Sequence, residues 1–255
     1  MARDDIERQV QEAARSFDAE LHTRAFVETH SDAAQLAWML SFLRPAPNQV
    51  ILDLGTGNGY VASAVARQEP DCRVVGVDVA AQAIERNREQ AREEGRSNVE
   101  FLIYDGIRLP FPDDHFDAAV SRYVFHHLPR LEISLEELAR TVREKGTLVL
   151  ADAIRHEGDD VDFINRFQLL KRDGHIRMHQ RADFIDVVCR HGFRLVETFD
   201  SSISFTRERG ADYDALIAKT PDSVLSAYAM RIDEQKMAVT FPILSAVFEN
   251  LNSGP

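Results

Sequence analysis

Between Gln49 and Asp152 the chain repeatedly alternates a strand-sized apolar run with a helix-length amphipathic segment, and this alternation restricts the fold more than any other feature. The runs are Val50–Leu54, Arg73–Asp78, Val99–Tyr104, Phe116–Ser121 and Gly146–Ala151. Several are apolar at nearly every position, as required of strands covered on both faces. The intervening segments Tyr60–Arg67, Ala80–Glu94 and Leu131–Arg143 carry apolar residues at helical spacing. Strand–helix repetition of this kind predicts a parallel, doubly wound α/β sheet. The ligands of such sheets sit beyond the carboxyl ends of the strands, at a switch point in strand order.

Flanking segments extend this core. Ile6–Phe17 and Ser31–Leu43 read as helices, the second capped by Ser31 and stopped before Pro45. Downstream, Val161–Arg172, Ala182–His191, Asp212–Lys219 and Ser223–Met230 read as helices, and Phe193–Phe199 as a sixth strand. Met237–Phe248 supplies a last strand, interrupted by Pro242. The organisation expected is an N-terminal helical lid over 1–47 and an α/β domain over 48–255, with helical insertions at about 157–192 and 207–232.

Bulk properties narrow the classes of function. At 255 residues the chain can bury a core without disulfides or a structural metal, and 44% of its residues are hydrophobic. No stretch reaches the roughly 20 apolar residues needed to cross a bilayer, and no signal-peptide core follows Met1. Only Cys72 and Cys189 are present, so neither a disulfide framework nor a zinc cluster is indicated. These features point to a cytoplasmic protein. A net charge of −12, with basic residues interspersed among acidic ones, argues against nucleic acid as a partner. Oligomeric state is not readable.

The first strand runs directly into Gly55-Thr56-Gly57-Asn58-Gly59 and then a helix near Tyr60. Glycines let the backbone turn sharply and approach a ligand, and a helix start offers unpaired N–H groups. The dinucleotide fingerprint requires a glycine where Tyr60 stands. Asp53 places a carboxylate where a pyrophosphate would be repelled, so a cationic or zwitterionic ligand suits the loop. Asp78 ends the second strand, where a carboxylate can accept from ribose hydroxyls. Asp105 ends the third and is followed by Gly106, placed to meet an adenine edge.

The run Val50-Ile51-Leu52-Asp53-Leu54-Gly55-Thr56-Gly57-Asn58-Gly59 resembles the first motif of class I S-adenosylmethionine-dependent methyltransferases. Leu109-Pro110-Phe111-Pro112-Asp113-Asp114-His115-Phe116-Asp117 and Ser121-Arg122-Tyr123-Val124-Phe125-His126-His127-Leu128 are similar to the branch containing ubiquinone- and menaquinone-biosynthesis-type enzymes. The resemblance covers residues 48 to 155. It implies a Rossmann-like, seven-stranded sheet with its last strand antiparallel, and S-adenosylmethionine as cofactor. It further implies that Asp53 lies near the methionine ammonium and that Gly55, Thr56, Gly57 and Gly59 approach the cofactor. By the same resemblance Asp78 and Val79 take the ribose side, Asp105 and Gly106 meet the adenine, and Arg122 lies beside the methionine moiety. An N-terminal segment closes over the site in such proteins, which makes Thr29, His30 and Trp38 lid candidates.

Methyl transfer from a sulfonium is a direct displacement, so a base is needed only where the acceptor must lose a proton. His126 and His127 follow the fourth strand and are the candidate bases. Adjacent helical residues diverge by about 100°, which leaves one of them facing the pocket. Tyr123, His30, Trp38, Phe163 and Phe167 are candidate acceptor contacts. His175 and His179 have the spacing of helical metal ligands, but Gly174 disfavours the helix and no Glu or Cys completes a site, so no metal is expected. The reading is a methyltransferase acting on oxygen or carbon of a small molecule. The alternatives are a protein of this fold that keeps the cofactor without transferring methyl, in a rearrangement or cyclisation, and an NAD-dependent oxidoreductase.

Overall fold

The apolar runs become five parallel strands: β1 (Val50–Leu54), β2 (Arg73–Asp78), β3 (Val99–Ile103), β4 (Phe116–Arg122) and β5 (Val142–Ala153). The computed structural model describes residues 3–20, 30–171 and 173–252. Consecutive β1 side chains enter opposite layers, Leu52 and Leu54 one apolar cluster and Ile51 the other. That is the period-two consequence of a strand buried on both faces. The layers are built by α2 (Ala33–Leu43), α3 (Tyr60–Gln68), α4 (Ala81–Glu93), α5 (Leu131–Thr141) and α7 (Arg181–Arg190). α1 (Arg3–Glu20) precedes them, and α6 (Phe163–Leu169) follows β5.

The strand order is β3-β2-β1-β4-β5-β8-β6, with β6 spanning Phe193–Glu208 and β8 spanning Lys236–Asn250. β1 lies between β2 and β4, so the order reverses there and a crevice opens at the carboxyl ends of β1 and β4. β8 is antiparallel to both its neighbours, in keeping with the expected last strand.

Four expectations are corrected. The sheet has eight strands rather than seven, because a two-residue β7 (Arg231–Ile232) pairs with β8. β6 continues nine residues past Phe199, and it pairs with β8 as a long two-stranded ribbon beyond the end of β5. Pro242 does not interrupt β8. Its carbonyl accepts from Ile154 at 3.0 Å, so its missing N–H would face the side where β5 has already ended. Asp32 rather than Ser31 caps α2, its carboxylate accepting from the Gln35 amide at 2.9 Å.

Helix α1 reaches across to α4. The Asp18 carboxylate accepts from the Gln82 and Ala83 amides at 2.9 and 3.2 Å, at a helix start whose own cap position is Ala80. The C-terminal additions are α8 (Ala211–Ile217) and α9 (Asp222–Ala227), beginning after the ribbon rather than at 207. Between Asp173 and Gln180 the chain is not helical, so His175 and His179 do not share a helix face.

Beneath the ribbon lies a third apolar cluster, in which Phe163, Phe167 and Tyr228 pack with Met237, Val239 and Phe241. The buried carboxylate of Asp159 ties α6 into it by accepting from the Phe163 and Ile164 amides at 2.8 and 3.0 Å and from the Tyr228 hydroxyl at 2.9 Å. Asp159→Ala removes a helix cap and strands a buried hydroxyl. It is expected to cost about 2–3 kcal/mol of unfolding free energy, measured by urea denaturation.

Candidate active site

The loop after β1 is shaped by two strand-end carboxylates. Gly55, Gly57 and Gly59 take φ values of +70°, +54° and +74°. At Gly55 a Cβ would come within 2.2 Å of the Val124 side chain, so a larger residue is excluded by space as well as by conformation. The Asp53 carboxylate accepts from the Thr56 hydroxyl at 2.8 Å and the Ala62 amide at 3.0 Å, joining the end of β1 to the first turn of α3. Asp78 accepts from the Gly57 amide at 2.8 Å and the Ala80 amide at 2.9 Å. Burial pushes the Asp53 carboxyl up to about 6 against the two hydrogen bonds, and burial likewise raises Asp78.

Both carboxylates border a cavity of about 630 Å³ at the switch point. Gly55, Thr56, Gly57, Val79, Tyr104 and Gly106 complete this end of it. Tyr60, in place of the third glycine of a dinucleotide loop, also lines the cavity, and the Arg122 guanidinium lies 5.1 Å from its ring. Arg122 donates to the Gln35 side-chain oxygen and the His30 carbonyl, both at 2.6 Å, and stacks 4.2 Å from the Tyr123 ring. Tyr123 holds φ of +61°, a left-handed conformation costly for a bulky residue and often found at functional sites. Gln35, fully buried and also bonded to Ser245, orients this arginine and was not signalled by the sequence.

Several expected site residues lie elsewhere. Gly59 starts α3 but does not line the cavity. Asp105 is exposed two residues beyond the end of β3, its carboxylate taken by the Ile107 and Arg108 amides at 2.9 and 2.8 Å. Trp38 packs outside the cavity against Phe42 and Phe199. Phe163 and Phe167 are fully buried in the cluster beneath the ribbon, because their i, i+4 spacing turns both toward that core. His30 and Tyr123 do line the cavity, with ring centroids 5.9 Å apart. Thr29 falls outside the described residues.

His126 and His127 sit in a single 3₁₀ turn after β4, and both line the cavity. Nδ1 of His126 pairs with Asp152, which also accepts from the His126 amide at 3.2 Å and the Ala153 amide at 2.6 Å. Asp152 is 2% exposed. The sequence signal that would have found it is its place at the end of β5, parallel to Asp53 on β1 and Asp78 on β2. His127 packs edge-on against Phe17 of α1 at 4.8 Å. Burial, then His126, holds the His127 imidazole well below the usual histidine range, and His175 is pushed down to about 4 by the same two causes. The ribbon also contributes to the cavity wall, through Ile203, Phe205, Arg207, Phe241 and Ile243, which sequence reasoning missed.

A doubly wound sheet with a glycine turn and two buried carboxylates at its switch point is the architecture of the class I methyltransferases. A family model described as a methyltransferase domain matches residues 45–182, more than half of the chain, and the chain belongs to that family. Among curated relatives, the uncharacterized methyltransferase YcgJ of Bacillus subtilis is 34% identical over 128 residues, covering 50% of each chain. The demethylmenaquinone methyltransferase of Thermus thermophilus is 37% identical over 110 residues, covering 43% of this chain and 49% of that one. The chain thus spans about half the length of the curated relatives it matches. The crystal structure of YcgJ superposes with a TM-score of 0.75 at 21% identity, over 87% of this chain and 100% of that one. The [4+2]-cyclase SpnF shares the fold at a TM-score of 0.63 and 17% identity, over 87% and 81%. The family's cofactor is S-adenosylmethionine, and membership in it removes the nicotinamide reading. Among the described residues no helix is long and apolar enough to cross a membrane.

The raised Asp53 carboxyl gives a pH dependence of known sign. Above about 6 it is ionised and attracts an ammonium; below, it is neutral. S-adenosylhomocysteine affinity, measured by calorimetry, is expected to be flat at pH 7–8 and to weaken as pH falls through about 6. Asp53→Asn should bind weakly at pH 8 and lose the dependence in that window.

Proposed function

We propose that this protein transfers a methyl group from S-adenosylmethionine to an oxygen or carbon of a small-molecule acceptor, with His126 as general base. The pairing of His126 with Asp152 on the cavity wall carries this reading. A carboxylate against Nδ1 keeps a proton on that nitrogen and leaves the lone pair of the neutral ring on Nε2. A base in this position serves an acceptor that must lose a proton, such as a phenol or an activated carbon, and is dispensable for a neutral amine.

The cofactor end of the cavity fits a nucleoside that carries positive charge. Asp53 would hold the ammonium and Asp78 the ribose hydroxyls, with the glycine turn admitting the backbone close to the ligand. Val79, Tyr104 and Gly106 form the half-buried surface that an adenine would meet. Arg122, fixed by Gln35 and the His30 carbonyl, would stand beside the methionine carboxylate. The bound cofactor supplies an electrophilic sulfonium methyl. The chain contributes orientation of the acceptor, removal of its proton at Nε2 of His126, and exclusion of water under α1, whose Val10, Ala13 and Phe17 line the cavity. A cavity of about 630 Å³ has the size of a small-molecule site, which supports such an acceptor over a macromolecule. The same fold serves a [4+2]-cyclase, so turnover of the cofactor is the discriminating measurement.

Incubation with methyl-labelled S-adenosylmethionine and a panel of phenols, 1,3-dicarbonyl compounds and amines should label phenols or carbon acids. His126→Gln is expected to lower kcat by roughly 10²–10⁴, with S-adenosylhomocysteine affinity unchanged. Asp152→Asn should lower kcat by a smaller factor, through loss of the favoured tautomer. Cofactor that binds tightly but is never consumed would sink the transferase reading, and full activity in His126→Gln would sink the base.

A further inference from the structure

The inward stripe of the β6 ribbon contains a cation that its neighbours do not account for. From Ile203 to Arg207 the burial alternates with period two: Ile203, Phe205 and Arg207 are half-buried, and Ser204 and Thr206 are exposed. All three half-buried residues line the cavity. Facing them across the ribbon at the same register are Phe241, Val239 and Met237 of β8, all buried. An arginine therefore takes the next position in a stripe otherwise made of isoleucine and phenylalanine.

No carboxylate pairs with Arg207 among the described residues. Its guanidinium lies 5.2 Å from the Phe205 ring and donates to the adjacent Thr206 carbonyl at 3.3 Å, and its Nε is buried with no hydrogen-bond partner among the described residues. The acids around it are engaged otherwise. Glu208, the next residue, pairs with Lys236 at 3.4 Å, and Asp214 pairs with Arg209 at 3.0 Å. Lys171, the other cation on this part of the wall, is held by Asp173 at 2.9 Å. Burial alone would raise the Asp173 carboxyl, but Lys171 and His127 outweigh it and hold it below the usual range. The Tyr213 hydroxyl lies within electrostatic reach of Arg207, Lys171 and Asp173, and Asp173 in turn within reach of His127 and His126. Arg207 is therefore a cation without a carboxylate partner among the described residues, in a wall of mixed apolar and polar side chains. An uncompensated cation in apolar surroundings is unfavourable, and such groups mark binding sites.

We propose that Arg207 anchors the acceptor by pairing with a carboxylate that the acceptor carries away from the atom to be methylated. The planar guanidinium fork matches a carboxylate in a two-bond pair. A monoanion is called for because Lys171 is already neutralised, leaving a single charge to compensate. Ile203, Phe205, Phe241 and Met178, which line the same cavity, give the body of the acceptor an apolar bed. The acceptor class is thus an amphiphilic carboxylic acid. This assignment rests on the small-molecule methyltransferase reading and names the substrate class of the same cavity.

The test measures binding by calorimetry in the presence of saturating S-adenosylhomocysteine. Hexanoate, decanoate and 4-phenylbutyrate are each compared with their methyl esters, and decanoate with decyl phosphate, on wild-type protein, Arg207→Lys and Arg207→Gln. At least one carboxylate should bind wild type at least tenfold tighter than its ester. That preference should vanish in Arg207→Gln and survive in part in Arg207→Lys. Absence of any carboxylate preference, a preference that persists in Arg207→Gln, or tighter binding of decyl phosphate than of decanoate would overturn the assignment. S-adenosylhomocysteine affinity is read on the same samples. Its loss in wild type would signal failure of the cofactor reading instead, and its retention in Arg207→Gln shows that the fold is intact.

Discussion

The Asp53 carboxylate, buried at the end of β1 between the Thr56 hydroxyl and the Ala62 amide, is the interaction on which the site is built. It fixes how the chain leaves the central strand and enters α3, and hence where the three glycines turn. A buried carboxylate with two donors still lacks what water would give it, which is why its proton affinity is raised. The same desolvation makes it a stronger attractor for a cation than an exposed carboxylate would be. Asp78 repeats the device one strand away, holding the Gly57 amide and thereby the middle of the loop. The cavity end nearest the sheet is therefore preorganised for positive charge before any ligand arrives.

How far the sequence revealed this depended on how local each feature is. Strands β1 and β2 and the second half of β5 were legible because burial on both faces leaves a nearly unbroken apolar run, readable without knowledge of partners. Asp53 and Asp78 were legible because they stand at successive strand ends, where the ligand of such a sheet lies, with the glycine turn following Asp53. Asp152 occupies the equivalent place on β5, yet no glycine loop follows it, and only its contact with His126 shows what it does. Asp105 was misplaced for a related reason. β3 ends at Ile103, and the two further residues put its carboxylate on the Ile107 and Arg108 amides, closing a turn.

The ribbon was the largest feature to escape. Ser201 to Thr206 alternates polar and apolar residues as a half-covered strand should, but Arg207 stands at an inward position and Pro242 stands in the partner strand. Each argued locally against a continuous strand. Long-range pairing overrides both, because β5 ends where Pro242 would need a partner and the cavity receives the arginine. Phe163 and Phe167 failed in the opposite sense. Their helical spacing was right, but spacing alone does not say whether the face is turned to a ligand or to a core, and here Met237, Val239 and Phe241 supply a core.

These two kinds of legibility divide the cavity physically. One end is made by short connections after β1, β2 and β4, where sequence neighbours are also spatial neighbours, and it holds the groups suited to the cofactor. Another part of the wall is made by residues 203–207 with Phe241 and Ile243, brought together by pairing across the β6–β8 ribbon, and it is where the proposed acceptor would lie. His126 stands at the seam, tied to the end of β5 through Asp152. Tyr123 reaches the same seam from a left-handed backbone position, held through its amide to the Ala151 carbonyl at 2.7 Å. Asp53 and the glycine turn pair with neither β6 nor β8, whereas Asp152 lies opposite Leu244 of β8 and ties the His126 end of the cavity to that strand. On the proposed reading, a fold arranged in this way would keep the cofactor end constant while the wall contributed by β6 and β8 varies with the acceptor.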